Sequence, residues 1–123
     1  MSGILMENIS IERTGINKML KIWQIKDIEI PYTFCGWSRQ TKNDFNFNDY
    51  KCVFETEKNT IDDLEEIYSI FNGVKSVAWV VDLRKFMGRS MSVSDIVEIN
   101  EDFFYCDTIG WKRLDINEDG KVE

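Results

Sequence analysis

The chain has 123 residues, 43% of them apolar and 13% aromatic, enough for one packed core and too many for a disordered chain. Twenty-two acidic against fifteen basic residues give a net charge of −7, which repels nucleic acid at long range and disfavours direct binding to duplex DNA. No apolar run reaches the roughly 18 residues that cross a bilayer, and "MSGILMENIS" lacks the basic start and long apolar stretch of a secretory signal, so a cytoplasmic protein without a membrane partner is expected.

Residues 1–19 show no firm period and read as an N-terminal extension before a domain over 20–114. "LKIWQI", Leu20 to Ile25, predicts a strand apolar on much of both faces. "IPYTFCGW", Ile30 to Trp37, predicts a second strand with Pro31 at its start or edge. Ser38 to Asp49 then read as a polar loop, with Phe45 and Phe47 offered as exposed anchors, and "YKCVFET" as a third strand.

A helix follows. Thr60 and Asp63 imitate a capping box, Ile61, Leu64, Ile67, Tyr68 and Phe71 share one face, and Asn72-Gly73 ends the element. "SVAWVVDL", Ser76 to Leu83, predicts another strand, with a short helix as the alternative. "SDIVEI" and "DFFYCD" predict a hairpin joined through "NED", and "IGWKRL" a closing strand after a turn or bulge at Gly110. The fold class is therefore α+β, a small and mostly antiparallel sheet packed with one main amphipathic helix. Residues 115–123 read as a frayed acidic tail.

The chemistry is constrained by what is missing. Without histidine, a serine or cysteine nucleophile lacks its usual base, and no catalytic residue is assigned. Cys35, Cys52 and Cys106 are odd in number and form no CxxC, which suits buried, reduced thiols. "DINEDG", Asp115 to Gly120, matches only the first half of a calcium loop, so neither a metal nor a cofactor is expected. In "GRSMSVSDIVEI", alternation puts Ser90, Ser92 and Ser94 on one face of a strand or bulged strand. Asp95 is expected to bond local backbone where the chain enters the hairpin. The acids gather instead at Glu55, Glu57, Asp62, Asp63, Glu65 and Glu66, six carboxylates with one lysine, and these are the expected partner-binding residues. A basic cluster lies at Arg84, Lys85 and Arg89.

The order "WQI", "DYKCVF", "LEEIYSIFN", "FMGRSMSVSDIVEI" and "FYCDTIGWKRL" resembles the YodL-like domain family. Gly88, Ser90, Ser92, Val93, Ser94, Asp95, Asp107 and Gly110 carry the resemblance, which implies a structural signature at these positions. It also implies a setting in Firmicutes and their mobile DNA. The expected function is then a protein-binding inhibitor rather than an enzyme. Most concretely it is an anti-CRISPR protein whose partner is a type II RNA-guided effector nuclease, with interference at guide RNA loading or activity. The alternatives are a regulator of the bacterial actin-like cytoskeleton and a metal-dependent nuclease using Asp95 and Asp107.

Overall fold

The computed structural model describes residues 18–59, 61, 63–73 and 88–123. The basic residues Arg84 and Lys85, the expected strand Ser76 to Leu83, Thr60 and Asp62 lie outside them. Five antiparallel strands form one sheet: β1 (Lys18–Ile25), β2 (Tyr50–Asn59), β3 (Ile96–Ile99), β4 (Asp102–Cys106) and β5 (Trp111–Leu114), in the order β2-β1-β3-β4-β5. Among the described residues two α-helices accompany it, α1 (Arg39–Asp44) and α2 (Leu64–Phe71). No helix among the described residues is long and apolar enough to cross a membrane.

β1 is apolar on both faces because both are covered. Leu20 and Ile22 pack with Val97 and Ile99 beneath Ile67, Ile70 and Phe71 of α2. Ile25 and Ile96 face the other way, into an aromatic layer of Tyr32, Phe45, Tyr50 and Tyr105. β3 runs between β1 and β4 and is buried along its whole length. Its hairpin to β4 turns on Asn100 and Glu101, both at positive φ (49° and 73°), the backbone a two-residue turn of this twist requires.

Several expectations change here. Ile30 to Trp37 is a series of turns rather than a strand: Ile30, Thr33 and Cys35 donate their amides to the carbonyls of Asp27, Ile30 and Tyr32. Tyr32 is buried and binds the Asp49 carboxylate at 2.8 Å, so it fills the core from a loop, with Ile30 and Trp37 packed against the same cluster. The polar stretch after Trp37 contains α1, whose N-cap is Ser38, followed by a short 3-10 turn over Phe47–Asp49. Phe45 is fully buried and Phe47 half-buried against Trp23 and Tyr50, so neither is an exposed anchor.

α2 begins later than the capping box suggested. Asp63 is itself the N-cap, accepting from the amides of Glu65 and Glu66 at 3.0 and 3.3 Å. Gly73, at φ 74°, ends the helix as expected. The tail is not frayed. Ile116 bridges Val122, and Gly120 turns the chain at φ 83° while its carbonyl accepts from the Phe47 amide. Lys121 Nζ donates to the carbonyls of Asn43 and Phe45, so "DINEDG" is a turn docked on the aromatic layer.

Candidate functional site

The residues that carry the family resemblance gather at one end of the sheet, where β1 and β4 finish and β2, β3 and β5 begin. Ser90, Ser92 and Ser94 do not sit in a strand there, because β3 starts only at Ile96. They form a loop whose turn is closed by the Asp95 amide on the Ser92 carbonyl at 3.1 Å. Ser90 is exposed, Ser92 half-buried and Ser94 buried.

Asp95 organises this loop. Its side chain is fully buried and paired with Arg89 in a two-pronged contact, Nη2 to Oδ1 at 2.8 Å and Nη1 to Oδ2 at 3.1 Å. The Ser92 amide and Gln24 Nε2 also donate to Oδ2, at 2.8 and 3.1 Å. Gln24 in turn grips the Arg89 backbone, donating to its carbonyl at 2.8 Å and accepting from its amide at 3.1 Å. A Cβ on Gly88 would lie 2.3 Å from Gln24 Oε1 and 2.9 Å from Val53, so only glycine lets the loop pass this close. Burial pushes the Asp95 carboxyl above its ordinary pKa, while Arg89 pulls it back.

Ser94 ties the loop to the other layer. It holds φ 84° without being glycine. Its hydroxyl accepts from the Phe34 amide at 3.0 Å, and its carbonyl accepts from the Tyr50 hydroxyl at 2.6 Å. Phe34, also at positive φ, lies under the Arg89 guanidinium with 4.9 Å to the ring centroid. Asp107 has a similar bracing task, accepting at Oδ1 from the amides of Trp37 (2.9 Å) and Thr108 (2.8 Å). Gly110, at φ 74°, closes the β4–β5 turn. Val93, Asp107 and Gly110 of the set line a surface cleft. The local role expected for Asp95 thus holds, extended to Arg89 and Gln24. Among the described residues no three Cys, Asp or Glu side chains converge as metal ligands.

The acidic segment is divided. Glu55 and Glu57 are exposed on β2, at one edge of the sheet, with Glu55 opposite Lys21 in the strand register. Glu65 points to the other edge, where its Oε2 accepts from Trp111 Nε1 of β5 at 2.8 Å. Four strand spacings separate these edges, about 19 Å. Asp63 is occupied as the cap and Glu66 is half-buried. The five described carboxylates of the segment therefore do not form one patch, and Asp62 lies outside the described residues.

The cysteines are also divided. Cys35 and Cys52 are exposed, against expectation, and Cys106 is buried; all three are free thiols. Burial, with Asp95, Glu65 and Asp107 nearby, pushes the Cys106 thiol up to about 12 from an ordinary value near 9.0. The native thiol then keeps its proton where the unfolded chain has lost it. This stability is fully present below about pH 9 and is lost as pH rises towards 12. Burial raises the Tyr50 and Tyr105 hydroxyls too, with the same sign at higher pH. Urea midpoints should fall as pH rises through 9, and Cys106→Ala should flatten the first part of that fall. An unchanged slope in the variant would assign it elsewhere.

Sequence reasoning missed Gln24, Tyr50 and the pairing of Arg89 with Asp95. A glutamine at the position that follows Leu20 and Ile22 on the same face of β1 was the available signal.

These features define a small α+β domain built on a five-stranded antiparallel sheet covered on both faces, with a braced loop at one end. The YodL-like domain model matches residues 19–116, and the chain belongs to that family. An uncharacterized protein of Acanthamoeba polyphaga mimivirus is similar at 32% identity over 74 residues, covering 56% of this chain and 68% of that one. No solved structure matches.

Proposed function

We propose that this chain is a protein-binding inhibitor, and most specifically an anti-CRISPR protein that acts on a type II RNA-guided nuclease by competing for its guide-RNA channel. The observation that supports it is the inward use of the Gly88–Asp95 loop: its carboxylate and its buried serine bind the fold itself. The chain carries an acidic excess, a net charge of −7, for a basic partner to meet. The partner-facing side in this reading is that of α2, centred on Glu65, which Trp111 fixes, with Asp63 and Glu66 beside it. A carboxylate held rigid loses little entropy on meeting the lysines and arginines that hold guide RNA. Glu55 and Glu57, at the far edge, assist approach by charge rather than by contact.

The test is target-DNA cleavage by a type II effector, with the protein added before or after guide RNA. Inhibition only on addition before the guide is the expected result; cleavage unaffected in either order, across several effectors, would reject the reading. The alternative reading is a regulator of the actin-like cytoskeleton. It predicts altered cell shape on expression in cells without any CRISPR system.

A further inference from the structure

An open cleft of about 200 Å³ lies between α2 and the β4–β5 turn. Tyr68 and Trp111 form its aromatic walls, set edge to face with 6.3 Å between ring centroids. Val93 and the buried Cys106 also line it, and Glu65 and Asp107 bring two carboxylates. Among the described residues no basic side chain lines the cleft.

Each carboxylate is held by one oxygen. Glu65 Oε2 accepts from the Trp111 indole, and Asp107 Oδ1 accepts from Trp37 and Thr108. Among the described residues Glu65 Oε1 and Asp107 Oδ2 accept no hydrogen bond. Two fixed carboxylates with a free oxygen each, beside two aromatic rings, are complementary to a planar cation. A guanidinium can stack on indole or phenol while its N–H fork meets a carboxylate.

We infer that this cleft is a receptor for an arginine side chain presented by a protein partner. The inference deepens the binding reading above and takes its biological meaning from it, but the cleft can be tested with no nuclease present.

The probe is N-acetyl-arginine methylamide, titrated at low ionic strength into the intact protein, with the neutral citrulline counterpart as control. The readout is the Trp111 indole N–H resonance, which reports directly on the Glu65 contact. A saturable shift with the arginine compound and none with citrulline is expected. Glu65→Gln, which can still accept from Trp111, should weaken binding about five-fold, the scale of one partly exposed ion pair. Tyr68→Leu should weaken it by a similar factor through the lost ring. Equal shifts with both compounds, or no saturation, would overturn the inference. Saturable binding by a protein that inhibits no nuclease would uphold the cleft and reject the inhibitor reading alone.

Discussion

Arg89→Met is expected to lower stability by about 3–5 kcal/mol at neutral pH, because it strands a carboxylate that the fold has removed from water. Asp95 has no exposed surface, and Arg89 supplies two of the four hydrogen bonds it accepts. Methionine keeps much of the apolar stem, so the loss reports on charge more than on packing. Arg89 is itself 33% exposed, and solvent screening places the effect towards the lower end of that range. Such a loss is a large share of the roughly 5–15 kcal/mol that holds a domain of this size.

The pH dependence of the variant is the sharper signature. Burial already raises the Asp95 carboxyl, and Arg89→Met removes the cation that draws it back. The native variant therefore binds a proton more readily than its unfolded chain does. Its deficit against wild type should be greatest near pH 7 and shrink as pH falls and Asp95 becomes neutral. Urea unfolding of both proteins at several pH values measures this. A deficit below about 1 kcal/mol, independent of pH, would mean the pair behaves as an ordinary surface contact.

Phe45→Ala should cost about 3–5 kcal/mol, the range for deleting a fully buried ring. The ring centroid lies 5.7 Å from those of Tyr32, Trp37 and Tyr50 and 6.4 Å from that of Tyr105. Its removal would leave a cavity lined by rigid aromatics with little freedom to collapse. Equilibrium unfolding checks the prediction. A change within about 0.5 kcal/mol would return Phe45 to the surface, as its polar neighbours had suggested.

That error shows where the sequence was legible and where it was not. Periodicity exposed β1, β2, α2 and the β3–β4 hairpin, because each repeats its apolar residues at one period. Phe45 sits between α1 and a 3-10 turn, both too short for a period to emerge. The loop over Ile30 to Trp37 imitated a strand because Tyr32 and Trp37 reach the core through turns. In "SMSVSD" the alternation was real, but Ser94 takes a left-handed backbone that propensity does not anticipate. The Asp95 site was half visible: its backbone bond was expected from local chemistry, whereas Arg89 and Gln24 reach it through the fold. The acidic residues were read as one patch because they are close in sequence, and the sheet carries them to opposite edges.

The most direct test of the proposed interaction surface is nuclease inhibition by two charge-reversed proteins, Glu65→Lys/Glu66→Lys and Glu55→Lys/Glu57→Lys, each first shown to be folded. The account predicts that the first reversal slows association and weakens inhibition at least about ten-fold, while the second changes it by about two-fold or less. Full inhibition by the α2 variant, or equal loss in both, would contradict the claim that a fixed acidic surface on the α2 side makes the contact.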